Sequence, residues 1–361
     1  MNPSFSVLSR RLLQWYQKHK RDLPWRRTRD PYAIWLSEIM LQQTQVATVI
    51  PYYERFLKKF PDIQSLAGAS EEQVLALWAG LGYYRRAKLL HRCAREVSEK
   101  FQGRFPVSAA ALRDLPGIGP YTAGAIASIA FGQAEPLVDG NVIRVLSRLF
   151  RKKGHAKAPG LHREIWELAR RLIPRRQPGD FNQALMELGA TLCRPVLPSC
   201  PRCPVLSFCG AAKSGEAESF PETPPSPKTL RLQRAVAVLR RGDAVLLLKP
   251  KVSRWFQGMW SLPHEYFSPD SEGLAAIEEY MAHSLGLSWS HPAALPATLH
   301  GITHHRIASF AWMGEGRGRL KAKNGWGEAR FFHLRDLPVA ALPSFDRKVL
   351  VAAKILANTT L

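Results

Sequence analysis

The sequence predicts a two-domain protein in which an all-α domain precedes an α+β domain. Three observations predict this order. The chain has 361 residues, more than one ordinary domain holds. Its first part repeats apolar residues with helical spacing, whereas strand-like patterns begin after a proline-rich run. We therefore predict a helical domain over residues 1–212, a linker over 213–231 and an α+β domain over 232–361.

The charge balance restricts the class of partner. Lysine and arginine number 51 against 29 acidic residues, a net charge of +22, which favours nucleic acid first and an anionic membrane surface second. No apolar run approaches the ~18 residues of a membrane span. The first residues lack the charged and then apolar order of a secretory signal. We expect a monomer in the cytoplasm, in the bacterial cytosol or nucleoid.

Capping residues and helical periodicity predict where the helices of the first domain lie. Residues 5–20 have helical spacing, and Asp30–Pro31 predicts a helix over 32–46. On that helix Glu38, Gln42 and Gln45 share one face, which a solvated surface alone would explain. Further helices are predicted over 51–60, 70–79, 86–101, 109–114, 121–131, 142–150, 162–173 and 180–192.

A glycine-rich segment, Leu115–Ala125, joins two of these helices. Gly117 and Gly119 permit positive φ and leave no Cβ in the way, so backbone N–H groups at the second helix could reach a phosphate oxygen. An ordinary connection between helices is the alternative, because glycine ends many helices. Shortly afterwards, Asp139 can cap the helix that begins near Val142.

The segment Gly80–Arg86 combines flexible backbone, Tyr83, Tyr84 and two arginines. Such a loop suits DNA, where aromatic rings can wedge between bases and arginines can hold phosphates. For Tyr84, a place in a buried aromatic pair is an equal alternative.

Four cysteines close the helical domain: Cys193, Cys200, Cys203 and Cys209. Four thiols in one short segment of a cytosolic chain favour a shared metal centre over disulfides. Zinc sites usually come as two close pairs, and only Cys200 and Cys203 form one. We predict a [4Fe-4S] cluster, with zinc at the same cysteines as the alternative. Cys93 reads as a buried small apolar residue.

After the linker, the strand patterns predict an α+β domain. Strands over 234–239 and 244–248 are joined by residues 240–243. Further strands are predicted over 298–300, 306–312 and 329–334, and a helix over 272–285.

Several motifs in combination resemble one family. They are Ser37–Val46, Leu81–Tyr84, Leu115–Gly119, Val138–Val145 and the cysteine segment. Together they resemble the adenine DNA glycosylases of the MutY type, in the helix-hairpin-helix superfamily that includes endonuclease III. The resemblance covers residues 1–225. The later domain is similar, more loosely, to the Nudix-like C-terminal domain of the same enzymes.

The resemblance implies a base-excision-repair enzyme that hydrolyses the N-glycosidic bond of adenine mispaired with 8-oxoguanine, or with guanine, in double-stranded DNA. Glu38 would be the general acid and Asp139 the ionised group that stabilises the cationic sugar, since the task needs two carboxyls with separate protonation. Tyr121 and Asn141 would hydrogen-bond around Asp139. Tyr121 stands where related lyases have lysine, which implies a monofunctional enzyme that leaves an abasic site.

The resemblance also assigns binding residues. Those of the adenine pocket would be Leu23, Trp25, Arg26, Leu41, Val46 and Gln183. Those that contact DNA would be Gln42, Gln43, Tyr83, Gly117 and Gly119. Thr303 and His304 would read the lesion, although Ile302 replaces the family's usual aromatic residue.

Two further expectations concern the second domain. Gly258–Pro263 resembles a Nudix entry strand, but the helix through Glu278 and Glu279 lacks the acidic pattern that holds metal in Nudix hydrolases, so we expect binding without hydrolysis. His300, His304 and His305 read as strand-surface histidines, with a metal trio as the alternative.

Three other functions compete with this interpretation. A bifunctional glycosylase/lyase would act on oxidised pyrimidines, but Tyr121 argues against it. A non-catalytic iron–sulfur DNA-binding protein would use Glu38 and Asp139 structurally. A nucleotide hydrolase would work through residues 232–361.

Overall fold

The computed structural model describes residues 3–223, 228–251, 255–256, 258–321 and 326–357. The chain divides into two compact units. The first comprises Met1–Gly68 and Leu89–Pro225, and the second comprises Ala69–Lys88 and Ser226–Leu361. The domain limits drawn from the sequence, at 212 and 231, stay a prediction, and residues 224–227 of the expected linker lie outside the described part.

Helices dominate the chain before the linker, as the sequence predicts. They are α1 (Pro3–His19), α2 (Pro31–Leu41), α3 (Val46–Lys59), α4 (Ile63–Ala67), α5 (Glu71–Trp78), α6 (Arg85–Phe101), α7 (Ala109–Arg113), α8 (Pro120–Ala125), α9 (Gly140–Phe150), α10 (Pro159–Leu172), α11 (Pro178–Thr191) and α12 (Gly210–Lys213). The core of the first unit is apolar and draws on α1, α8, α9, α10 and α11. Within the described residues, no helix combines the length and apolarity that crossing a membrane would require.

The predicted helix over 32–46 is wrong beyond Leu41. Asp30 caps α2 through the backbone N–H groups of Tyr32 and Ala33, but α2 ends at Leu41. Gln43 has a φ of 58°, and Gln45 is extended as the N-cap of α3, so neither continues the helix. The sequence lacks a glycine at this break, and Pro51, expected to start the next helix, lies inside α3.

Glu38 therefore does not share a helical face with Gln45, and a solvated face is wrong as well. Every residue of α2 from Tyr32 to Met40 is buried, so only the chemistry of Glu38 distinguishes it from its apolar neighbours. A carboxyl at 5% exposure on such a helix needs a specific partner.

The hairpin between α7 and α8 forms where it is predicted. Ser108 caps α7 by accepting from the N–H of Ala111, at 3.3 Å. Gly117 has a φ of 76°, and a Cβ there would lie 2.8 Å from Leu89 Cβ, so both conformation and space require glycine. Gly119 differs from the prediction: it is an extended N-cap with φ −86°. Beyond α8, the helix continues as a π-helical turn over Ile126–Ala130.

The second unit contains a seven-stranded sheet with the α+β composition that the sequence predicts. Its strands are β1 (Leu230–Arg241), β2 (Ala244–Pro250), β3 (His264–Phe267), β4 (Leu287–Ala294), β5 (Thr298–Ile302), β6 (His305–Gly318) and β7 (Trp326–His333). The order is β4-β6-β1-β2-β7, with β3 on β1 and β5 on β6. The long β1–β6 pair is parallel, whereas the other pairs are antiparallel.

Alternate residues of β1 enter two apolar clusters on opposite faces of this sheet. Val236 and Val238 pack with α14 (Ser344–Ala352) on one face, and Ala235 and Ala237 pack with α13 (Gly273–Tyr280) on the other. The sequence pattern did not predict β3, β4 or α14. The segment Gly258–Pro263 forms only an isolated bridge, between Ser261 and Leu248, and not a strand.

Candidate active site and cysteine loop

Glu38 lies in the interior of the first unit, opposite Tyr121. The Tyr121 hydroxyl donates to Glu38 Oε2 at 2.5 Å and lies 3.4 Å from Met186 Sδ. Burial raises the pKa of Glu38 to about 7, and the negative charge of Asp139 adds to this, while the Tyr121 hydrogen bond and the charge of Arg26 oppose it. A carboxyl with this pKa can hold a proton near neutral pH and give it up.

Asp139 has a different environment, at the N-terminus of α9. Its Oδ1 accepts from Val142 N–H at 2.7 Å, and its Oδ2 accepts from Asn141 Nδ2 at 2.8 Å. Burial raises the pKa of Asp139, but these donors and the charge of Arg144 oppose the shift because they favour the carboxylate. The predicted cap is confirmed. Tyr121 donates its hydrogen bond to Glu38, and burial, helped by the charge of Asp139, raises the pKa of its hydroxyl.

Two arginines of α9 connect this helix to the cysteine loop, residues 193–209. Arg144 Nη2 donates to Asn141 Oδ1 and to Gly189 O, both at 2.8 Å, and its Nε donates to Cys193 O at 2.8 Å. Arg148 is 2% exposed and donates to the carbonyls of Arg194, at 2.7 Å, and Pro195, at 2.9 Å. The helix that presents Asp139 is thereby fixed to the loop.

The four cysteines of the loop are half-buried and free of disulfides. Burial raises the pKa of Cys203 to about 11, and the charges of the other three cysteines add to this, so the thiols lie within electrostatic reach of one another. Arg148 Nη1 lies 3.4 Å from Cys193 Sγ. Across the described residues, no three cysteine, histidine or acidic side chains are close enough to hold one metal ion. The metal centre at these cysteines stays a prediction.

The residues expected to form an adenine pocket separate into two groups. Arg26 and Gln183 line a cavity of about 160 Å³ together with Gly179 and Asp180. The others do not line that cavity: Leu23 and Trp25 are buried, and Leu41 and Val46 are half-buried. Trp25 packs edge-on against Tyr53, with ring centroids 5.4 Å apart.

Glu187, on α11, is a buried acid beside this cavity that the sequence analysis missed. Its side chain is fully buried and accepts from Arg21 Nε and Arg26 Nη2, each at 2.8 Å. These arginines lower the pKa of Glu187 to about 2, against the effect of burial. The residues at helical spacing from it include Asp180, Gln183 and Thr191, so the pattern of α11 did not indicate a buried acid.

The residues expected to contact DNA lie at exposed or strained positions. Gln43 is exposed with φ 58°, and Gln42, at the C-terminal end of α2, is half-buried. Tyr83 has φ 49° and is 44% exposed, with the Arg86 guanidinium 5.4 Å from its ring centroid. Tyr84, by contrast, is buried, which favours the aromatic-pair alternative, and its ring lies edge-on to Phe256.

Thr303 and His304 form the turn between β5 and β6, since Ile302 pairs with His305. Thr303 has φ 51° and is exposed, an unusual conformation for a β-branched residue. The expected surface position is wrong for His305, which is 2% exposed and packs edge-on against Trp255. A turn residue and its strand neighbour face different surroundings, which the sequence does not distinguish.

Comparison with known proteins identifies the helical part. Residues 36–171 match the HhH-GPD superfamily base excision DNA repair protein model. The human adenine DNA glycosylase is 53% identical over 218 residues, which is 58% of this chain and 40% of that protein. The adenine DNA glycosylase of Arabidopsis thaliana is 41% identical over 313 residues, 75% of this chain and 50% of that protein. The chain thus spans about half the length of these relatives.

Solved structures extend this result. A thermostable thymine-DNA glycosylase is 32% identical, with a TM-score of 0.54, over 59% of this chain and 98% of that one. Endonuclease III in a non-covalent DNA complex shares the fold, at 22% identity and a TM-score of 0.51, over 60% of this chain and 98% of that one. By the motifs, the hairpin and these matches, the chain belongs to the HhH-GPD superfamily of base excision DNA repair proteins.

Proposed function

We propose that this chain is a monofunctional adenine DNA glycosylase that acts as a monomer on duplex DNA. Its substrate is adenine opposite 8-oxoguanine or guanine, and its product is an abasic site. The observation that carries the proposal is the pair of buried carboxyls with different partners: Glu38 accepts from a phenol hydroxyl, whereas Asp139 accepts from a backbone N–H and an amide that favour its ionised form. The adenine DNA glycosylases at up to 53% identity support the choice of base.

In this mechanism, Glu38 gives its proton to a ring nitrogen of adenine, which makes the base a better leaving group. The Tyr121 hydroxyl holds Glu38 Oε2 in place. As the glycosidic bond breaks, positive charge develops on the sugar, and the Asp139 carboxylate stabilises it. The N–H of Val142 and the amide of Asn141 orient that carboxylate. Glu38, now ionised, takes a proton from the attacking water.

The same proposal assigns a [4Fe-4S] cluster to Cys193, Cys200, Cys203 and Cys209. Their uneven spacing along the chain, in which only Cys200 and Cys203 form a close pair, favours the cluster over zinc. When bound, the cluster would cross-link the loop to which Arg144 and Arg148 attach α9. Iron and sulfide analysis of the purified protein tests the assignment, with zinc and no sulfide as the contradicting result.

A single-turnover assay tests the activity. Duplexes carry one adenine opposite 8-oxoguanine, guanine or thymine, or one thymine opposite guanine, and half of each sample is heated in alkali. We expect breaks only after alkali, and fastest for adenine opposite 8-oxoguanine. Breaks without alkali would contradict the monofunctional assignment. Faster release of thymine would contradict the choice of base.

The lesion-reading role of Thr303 and His304 can be tested in the same assay. Their exposed turn suits contact with a second strand, so Thr303→Gly should slow release opposite 8-oxoguanine more than opposite guanine. Glycine adopts the required positive φ without strain, so the fold of the turn should be kept. Equal slowing on both duplexes would contradict the assignment.

A further inference from the structure

A closed charge network lies beside the cavity that Arg26 and Gln183 line. At its centre is Glu187, which accepts four hydrogen bonds from two arginines. Arg21 contributes its Nε and Nη2 at 2.8 Å and its backbone N–H at 3.2 Å, and Arg26 contributes Nη2 at 2.8 Å. A fully buried carboxylate with this many donors is held in one orientation.

Arg26 is fixed from three directions. Besides the contact with Glu187, its Nη1 donates to Arg21 O at 3.1 Å, and its guanidinium lies 5.4 Å from the ring centroid of Tyr16. Its side chain is only 10% exposed. Arg26 is therefore a static wall of the cavity, and not a surface arginine free to move toward a ligand.

The charge of Arg26 also acts on Glu38. The charged and titratable groups that influence Glu38 are Tyr121 from α8, Asp139 before α9 and Arg26 from the turn before α2, and Arg26 is the one cation among them in the described structure. Around Glu187 the corresponding groups are Arg21 and Arg26. Asp180 and Glu187 both influence Tyr16, which lies under Arg26. Glu187 is thus the counter-ion of the cation whose charge reaches the proposed acid.

We propose that Glu187 is a positioning residue: it fixes the Arg26 guanidinium in the wall of the cavity that Gln183 also lines and limits the positive charge that Arg26 exerts on Glu38. The inference rests on the proposed function for its meaning in catalysis, although the electrostatic relation holds in the protein alone. It explains why an acid is buried on α11, away from the atoms that react.

The sign of each substitution follows from this arrangement. Glu187→Gln removes the counter-ion, so Glu38 experiences more positive charge and loses its proton at lower pH. Arg26→Gln removes the cation, so Glu38 loses its proton at higher pH. Since Glu38 must be protonated to act, the pH above which base release slows should move down in the first variant and up in the second. A residue that only supported the fold would not produce opposite shifts.

The experiment measures single-turnover adenine release between pH 5.5 and 9.5 at saturating enzyme. For Glu187→Gln we expect the midpoint to fall by about one pH unit, which is about tenfold slower release at alkaline pH with a nearly normal rate at acid pH. For Arg26→Gln we expect a rise of similar size. Glu187→Asp keeps the charge and should restore the wild-type midpoint. The matched control is Asp22→Asn, which breaks the exposed pair with Arg27 and should change nothing.

A second readout separates failure of this inference from failure of the proposed function. The carboxyl of Glu38 can be titrated by 13C NMR without DNA, and the order of midpoints should again be Glu187→Gln, wild type, Arg26→Gln. This order would support the inference even if wild type released no adenine. Shifts in the same direction, or none, in folded variants would overturn it. The double variant Arg26→Gln with Glu187→Gln should return to the wild-type midpoint. If Glu187→Gln alone does not fold, the midpoint of the double variant is compared with that of Arg26→Gln instead.

Discussion

Glu38 and Glu187 are both buried glutamates of the first unit, at 5% and 1% exposure, yet their pKa values move in opposite directions. Glu38 rises to about 7, whereas Glu187 falls to about 2. The difference lies in their partners. Glu38 has one phenolic hydroxyl, and Glu187 has two guanidinium groups.

Burial alone therefore does not determine the role of an acid. Burial raises the free energy of both carboxylates, but two bonded cations more than offset that cost at Glu187. That acid stays ionised and structural over the ordinary pH range. At Glu38 the cost is left largely uncompensated, which keeps a transferable proton available near neutrality. In the second unit, buried Asp346 is paired with buried Arg234 at 2.7 Å, yet burial still raises the pKa of its carboxyl.

Glu38 and Glu187 should differ most in how their substitution changes the rate of adenine release. Glu38→Gln should slow adenine release by about 10²–10⁴-fold, because glutamine cannot supply the proton. Binding to the duplex, measured by gel shift, should persist. Wild-type rates in this variant would refute the role of Glu38 and favour the non-catalytic alternative.

Glu187 and Glu38 should also differ in how their substitution changes the free energy of unfolding. Glu187→Ala should lower the free energy of unfolding by about 3 kcal/mol, because it leaves Arg26 buried without its partner; partial exposure of Arg21 limits the loss. Since the folded pKa of Glu187 is depressed, its contribution is present above about pH 4 and is lost as the pH falls toward 2. Urea unfolding at pH 7 and pH 3 measures both. Glu38→Gln is the comparison and should cost no stability at pH 7.

A smaller effect tests the hydroxyl at Glu38. Tyr121→Phe removes a hydrogen bond of about 1 kcal/mol that holds Glu38 Oε2 in place, so release should slow by about fivefold at acid pH, where Glu38 is protonated in both proteins. Because that bond favours the carboxylate, its loss should also raise the pKa of Glu38 and move the alkaline decline upward. A downward shift in the pH–rate profile would show that the hydroxyl favours the protonated form instead.

The smallest effect is expected at the exposed pair of Arg27 and Asp22, whose side chains are 65% and 73% exposed. Asp22→Asn should leave the free energy of unfolding nearly unchanged, because solvent screens exposed pairs. Chemical denaturation checks this expectation. A loss comparable to that of Glu187→Ala would mean that exposure does not distinguish the two pairs.

Much of the fold could be predicted because its signals are local. Caps at Asp30 and Asp139 lie where expected, and β1 and β2 form the predicted hairpin. The break after α2 was missed because Gln43 adopts a positive φ that no glycine announces. β4 was missed because its burial alternates only weakly along the strand.

The site was predictable only in part. Motifs placed Glu38 and Asp139, but the bond from Tyr121 to Glu38 joins residues 83 positions apart. Glu187 was missed because its partners lie 161 and 166 positions away. Contacts of such separation depend on tertiary packing, and neither periodicity nor capping signals report it.

The role of Glu38 as the proton donor is best tested by the pH dependence of adenine release. The assay is single-turnover, at saturating enzyme, on adenine opposite 8-oxoguanine. Because Glu38 must be protonated and its pKa lies near 7, the rate constant should decline about tenfold per unit at higher pH. Glu38→Gln should be slow and lack this decline. A wild-type rate that stays constant to pH 9 would contradict the account, as would the same decline in the variant.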